Sequence, residues 1–185
     1  HYVPDDGSLP PKMDFVKGFA YPGDEIVETN RLLIIEVASK KQVLVDYEQV
    51  PLSPYGLSFF SSTSRQYGWW SSDGSKAYFV AMTRGCRKAR LIELNPTKGA
   101  TRILHEETSD TFVRLASFGE SNPQFVPLLQ TDECLWFSER SGYGHLYLYD
   151  LKTGEMKQQV TGGDWLVRDV IDFCPVRREL IIQTM

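Results

Sequence analysis

The chain has 185 residues, a net charge of −4, and a hydrophobic fraction of 42% with 12% aromatics, the make-up of an ordinary globular protein with enough apolar mass for a core. No basic stripe interleaved with aromatics occurs, which excludes nucleic acid as an expected partner. The longest apolar runs are about one strand in length, far short of the roughly 20 residues that a membrane helix needs, so no membrane span is expected. Cys86, Cys134 and Cys174 are odd in number and lack C-x-x-C spacing, so neither a zinc site nor a disulfide framework is suggested.

In chain order, His1 to Lys12 is a Pro-, Asp- and Gly-rich lead-in with neither a basic region nor an apolar stretch, so no signal peptide is expected there. Phe15 to Tyr21 reads as an inner strand. Arg31 to Val37 is apolar on both faces, which predicts a strand sandwiched between neighbouring sheets, and Ser39-Lys40-Lys41 turns the chain into Gln42 to Val45. Asp46 to Arg65 is a loose connection. Trp69-Trp70 then opens a hairpin whose Asp73-Gly74 pair tolerates the positive φ of a tight turn. Ala77 to Met82, Arg90 to Leu94 and Arg102 to Leu104 complete that unit, with Pro96 and Gly99 at its last turn. His105 to Pro123 reads as an irregular polar connection, and Asn122 to Leu129 as the inner strand of the next unit. That unit continues through Cys134 to Ser138, His145 to Leu151 and Glu155 to Val160. Leu166 to Phe173 and Glu179 to Gln183 are two further strands, the second read as an outer one.

The units repeat. Glu36-Val37, Glu93-Leu94 and Asp150-Leu151 each close an apolar run, and they stand 57 positions apart (93 − 36 and 150 − 93). Tyr78-Phe79 matches Trp136-Phe137 at an interval of 58 (136 − 78). Short antiparallel strands with Gly-containing punctuation, repeating at this length, predict an all-β partial β-propeller. About three four-stranded antiparallel blades are expected, at 13–50, 65–105 and 122–161, with the start of another at 164–185. Closed propellers have about 4–8 blades, so the chain reads as part of one. Its uncovered terminal faces and edges predict a homodimer or a rearranged end strand.

No catalytic constellation emerges. The nearest string to the G-x-S-x-G elbow is Gly119-Glu120-Ser121-Asn122-Pro123, with Pro in place of the second Gly. The histidines are His1, His105 and His145, and His145 reads as structural, its ring hydrogen-bonded at a blade edge. Glu106-Glu107 is expected to be a solvated turn after the outer strand, since neighbouring extended residues point to opposite faces and cannot converge on one substrate atom. Asp24, Glu25 and Glu28 lack the alternating ligands and glycine of a calcium loop. No metal or cofactor is expected.

The run Trp136-Phe137-Ser138-Glu139-Arg140-Ser141-Gly142-Tyr143-Gly144-His145-Leu146-Tyr147-Leu148-Tyr149-Asp150-Leu151 closely resembles a signature of the dipeptidyl peptidase IV propeller, in the prolyl oligopeptidase clan of serine peptidases. Thr161-Gly162-Gly163-Asp164-Trp165-Leu166-Val167 is similar to that family's TxGxWxV segment, and Glu106 to Val113 to its link between two blades. The resemblance implies a non-catalytic segment of an eight-bladed propeller whose α/β-hydrolase partner domain carries the catalytic residues. It implies a parent enzyme that releases N-terminal dipeptides from peptide substrates, with Pro or Ala second, and favours a periplasmic or secreted location. The paired glutamates that hold the substrate's amino terminus in that family have no counterpart here. By the same resemblance, Arg114 and Phe118 are candidate substrate contacts. A free-standing propeller that binds protein partners is the alternative reading.

Overall fold

The computed structural model describes residues 23–25, 29–47, 50–51, 68–83, 85–114 and 125–185. Their regular structure is β-strand, with one 3-10 turn at Leu129–Thr131. The strands are β1 (Thr29–Asn30), β2 (Leu33–Ile35), β3 (Gln42–Leu44), β4 (Val50–Pro51), β5 (Gly68–Trp70), β6 (Ala77–Met82) and β7 (Lys88–Leu94). They continue with β8 (Thr101–Thr108), β9 (Phe125–Leu128), β10 (Glu133–Ser138), β11 (His145–Asp150), β12 (Met156–Gln159), β13 (Val167–Cys174) and β14 (Glu179–Thr184). Two sheets have four antiparallel strands in sequence order, β5-β6-β7-β8 and β9-β10-β11-β12, flanked by the hairpins β2-β3 and β13-β14. A further short pair joins β1 to β4. This is a partial β-propeller of four-stranded meanders, as the strand pattern predicts.

The central strands are buried on both faces because each sheet is packed between two others. In β6, Tyr78, Val80 and Met82 face β9–β12, while Phe79 and Ala81 face the β2-β3 hairpin. In β10, Cys134 and Trp136 face back towards β6 and β7, and Leu135 and Phe137 face forward to β13-β14. All six residues of β10 are buried. Alternation with period two thus serves two apolar interfaces, and an unbroken hydrophobic run follows.

The terminal hairpins depart from this. Leu32 and Ile34 pack inward against the Phe79 and Ile92 cluster, but Leu33 and Ile35 are 52% and 54% exposed. The sandwiched strand expected at Arg31 to Val37 is therefore covered on one face only, because no described sheet lies on the other. Ile171 and Ile181 are exposed at the opposite end for the same reason. The β13-β14 hairpin corresponds to β9-β10 rather than to an outer strand. In both hairpins a residue with left-handed φ, Asp132 at 51° and Arg178 at 54°, immediately precedes the second strand.

The structure also corrects the register of the repeat. One six-residue turn recurs three times, beginning at Glu36, Asn95 and Asp150. In each, the fifth residue (Lys40, Gly99 or Gly154) donates its N–H to the first residue's carbonyl at 2.8, 2.8 and 2.9 Å. Those fifth residues have φ of 60°, 73° and 83°. Asn95 Oδ1 accepts from the N–H groups of Thr97 and Lys98, and Asp150 Oδ1 from those of Lys152 and Thr153. The turn needs an acceptor oxygen rather than a charge, so Asn95 takes the place assigned to Glu93. The intervals become 59 and 55 (95 − 36 and 150 − 95).

Tyr78 and Trp136 likewise point to opposite sides of their own sheets, since both enter the core between the two sheets. Phe79 and Trp136 share the backward face, so the interval of 58 slips the register by one. A slip of one residue reverses every side chain.

Candidate functional site

A half-open groove of about 480 Å³ lies where the end of β8 meets the loop after β10. Strand β8 runs through Thr108, so His105 to Thr108 form an extension of the sheet and not the irregular connection expected from their polarity. Pairing with β7 sustains it. Arg90 lies opposite Glu106 and Ala89 opposite Glu107, after a bulge at Leu91/Ile92. Beyond the strand, Ser109 donates its N–H to Arg87 O, and Val113 donates to Cys86 O. Val113 is buried, which anchors the segment that presents Phe112 and Arg114 to the groove.

The two glutamates part as extended neighbours must. Glu106 takes a 2.6 Å hydrogen bond from Arg90 Nε across the strand pair. Glu107 turns to the next sheet, where its carboxylate accepts from Trp136 Nε1 at 2.7 Å, Ser138 Oγ at 2.5 Å and Arg140 at 3.0 Å. The solvated-turn reading therefore fails for Glu107, whose side chain is 13% exposed. It bridges two blades. Burial pushes its carboxyl upward, but the nearby His105 ring, hydrogen bonds from Ser138 and Trp136, and the Arg140 charge outweigh burial and hold it below the usual carboxylate range.

Arg140 completes this clamp. Its guanidinium donates to Ser138 Oγ at 2.8 Å and Tyr149 Oη at 2.9 Å, and lies 4.4 Å from the centroid of the Tyr147 ring. Burial lowers the Arg140 pKa, but the contacts with Tyr149 and Glu107 raise it on balance, and its charge is retained. The His105 ring packs against Trp136 and Tyr149 at centroid distances of 5.1 and 4.3 Å. These residues are joined to one another, and His105, Glu107 and Arg140 among them line the groove.

Arg114 lies on the groove wall, with Nη1 3.5 Å from Glu139 Oε1. Phe118, the other candidate contact, falls outside the described residues, as do Glu28 and the Gly119 to Pro123 string. Asp24 and Glu25 sit on exposed backbone. Sequence reasoning passed over Glu107, His105 and Arg140. The available signal was a carboxylate pair at the end of a strand and an arginine inside the most distinctive run, but only the packing of two sheets brings them together.

His145 is structural. The Leu146 N–H donates to Thr161 Oγ1 at 2.9 Å, Nδ1 lies 3.1 Å from that hydroxyl, and Nε2 lies 3.0 Å from Gly163 O. The carbonyl can only accept, so Nε2 carries the hydrogen and Nδ1 accepts from Thr161. Cys134 is completely buried, and burial pushes its thiol up, away from nucleophilic chemistry.

Antiparallel four-stranded sheets packed face to face, with a charged cluster joining their rims, define a propeller segment. Residues 23–183 match the family described as Dipeptidyl peptidase IV (DPP IV) N-terminal region, and the chain belongs to that family. Among solved structures it is similar to a Bacteroides ovatus protein assigned as a dipeptidyl aminopeptidase IV. That likeness has 20% identity and a TM-score of 0.61, over 86% of this chain and 27% of the other. It is also similar to dipeptidyl peptidase 4 of Porphyromonas gingivalis, at 15% identity and a TM-score of 0.51, over 77% of this chain and 18% of that one. These likenesses establish the fold, and the chain spans about a quarter or less of either protein. No helix among the described residues is long and apolar enough to cross a membrane.

Proposed function

We propose that this chain is a non-catalytic propeller segment of a serine-type dipeptidyl peptidase. Its parent removes N-terminal dipeptides, with Pro or Ala second, through an acyl-enzyme formed on an α/β-hydrolase domain. The segment walls the substrate cavity, restricts entry to short unfolded peptides and helps orient their amino ends. The family match over residues 23–183 carries this reading, and the groove beside Arg114 gives the segment a surface on which to act. The units at about 13–50, 65–105 and 122–161 are successive blades, and 164–185 begins the next. Arg114 pairs with a substrate carbonyl or carboxylate, and Phe118 covers an apolar side chain.

The test is to express the complete natural reading frame that contains these residues and to assay it on a Gly-Pro-linked chromogenic amide. Turnover is expected, together with fluorophosphonate labelling of a serine outside residues 1–185, while the 185-residue chain alone is inactive. Arg114→Gln is expected to raise KM for longer peptides by about three- to tenfold, the worth of a partly exposed charged hydrogen bond. Absence of both turnover and labelling in the complete protein would overturn the reading in favour of a binding scaffold.

A further inference from the structure

The Arg140 guanidinium is surrounded by acceptors of very unequal strength. Nε donates to Ser138 Oγ at 2.8 Å and Nη2 to Glu107 at 3.0 Å, with His105 Nε2 3.5 Å from the same nitrogen. Nη1 donates twice, to Tyr149 Oη at 2.9 Å and to Met156 Sδ at 3.9 Å. The sulfur is the weakest acceptor of the set, because a thioether is neutral and polarizable rather than polar. The sheet puts it there. Met156 stands opposite Tyr149 in the β11-β12 pair, and opposed residues of an antiparallel pair project from one face, here the face on which His105 and Arg140 meet Tyr149. Strand β12 is the outer strand of its sheet and exposed along its length. Met156 is 50% exposed, whereas Met82 in β6 is 4% exposed, so a small oxidant in the solvent reaches the one sulfur and not the other.

We propose that Met156 is an oxidative modification site, and that its sulfoxide strengthens the hold on Arg140. The oxidant is a peroxide. A sulfur lone pair attacks one peroxide oxygen, the O–O bond breaks as the S–O bond forms, and sulfur gives up two electrons. With hydrogen peroxide, the transferred oxygen passes its proton to the departing one, which leaves as water. The new oxygen carries partial negative charge and, on the side facing Arg140, stands one bond length nearer to Nη1 than the sulfur did. A weak acceptor thus becomes a strong one for a charged donor, with no displacement of Ser138, Tyr149 or Glu107. Sulfoxide formation in a core disrupts packing, but this side chain lies on a wet outer strand and loses little by becoming polar. Arg140 lines the groove and is bonded to Glu107 of the neighbouring sheet, so oxidation stiffens the rim where the two sheets meet.

The experiment treats the complete natural protein with dilute hydrogen peroxide, quenches with catalase, and follows amide hydrogen exchange by mass spectrometry of peptides. Met156 should gain one oxygen before Met82 does. Exchange in segments 139–144 and 156–160 should then slow by about two- to tenfold, the worth of one added hydrogen bond, and methionine sulfoxide reductases should restore the original rate. Met156→Gln places an amide carbon and oxygen where the sulfoxide has sulfur and oxygen, and should show the slowing without peroxide. Met156→Leu should show no slowing with it. Both variants keep Cys86, Cys134 and Cys174, so thiol oxidation does not produce the difference between them. Three results would each overturn the proposal: exchange in these segments that is unchanged or faster once Met156 carries the oxygen, an equal slowing in peroxide-treated Met156→Leu, or a Met156 that resists peroxide as Met82 does.

Discussion

Replacing Glu107 by Ala tests whether the two described four-stranded sheets are clamped by this carboxylate. The substitution leaves an indole N–H and a hydroxyl without their acceptor, at Trp136 and Ser138, both of which have 0% exposure. An orphaned buried donor costs about 1–3 kcal/mol. Arg140 adds less, because it is partly exposed and keeps its bonds to Ser138 and Tyr149. The sum is about 3–5 kcal/mol, the range found when one partner of a buried ion pair is removed. For a chain of this size each kcal/mol lowers Tm by about 2–4 °C, so a fall of about 6–20 °C is expected. Guanidinium unfolding followed by tryptophan fluorescence, alongside thermal scans, measures it. Glu107→Gln keeps the volume and one acceptor and should cost about half as much. The Glu107 carboxyl is held below its ordinary range, so its contribution is present above the unfolded value and lost as pH falls through the folded one. The Gln variant should accordingly be less acid-sensitive. A cost for Glu107→Ala below about 1 kcal/mol would refute the clamp, because Trp136 and Ser138 are fully buried and two orphaned donors there cost more than that.

Three further outcomes are expected. Gly154→Ala should destabilise by about 2–4 kcal/mol in urea unfolding, since φ is +83° and the added Cβ would lie 2.3 Å from Leu104 O; Gly99→Ala, with the equivalent contact at Leu44 O, should do likewise. Glu133, 3% exposed, is pushed up by burial but drawn down more strongly by Lys157, Thr131 and Arg178, to about 2. Its stabilisation is therefore present above pH 4.5, the ordinary value, and lost towards pH 2; urea midpoints of Glu133→Gln should vary less across that window than those of the native chain. Finally, the isolated 185-residue chain should self-associate through the apolar faces bearing Leu33, Ile35, Leu44, Ile171 and Ile181. Sedimentation velocity should show a dimer that Leu33→Lys with Ile181→Lys dissolves, and a clean monomer at all concentrations would count against it.

The sequence by itself determined the class of structure. Apolar runs such as Cys134 to Phe137 and Ala77 to Met82 need cover on both faces, and Gly99 and Gly154 mark turns that require a positive φ; such local demands are written in residue types and spacing. The structural role of His145 at the start of its strand was legible for the same reason. Register was only partly legible. Asn95 supplies the same turn acceptor as Asp150, so counting acidic residues chose Glu93 instead, and an interval of 58 set Tyr78 against a residue on the opposite face.

Tertiary structure alone decided the fate of Glu107 and the cover of the end strands. Glu106 and Glu107 look equivalent along the chain, yet Glu106 meets Arg90 within its own sheet and Glu107 meets Trp136, Ser138 and Arg140, which are about 30 residues further on. Polarity announces a solvated residue only if no partner waits across an interface. That partner is fixed by how one sheet lies on the next, a relation between segments that no local pattern encodes.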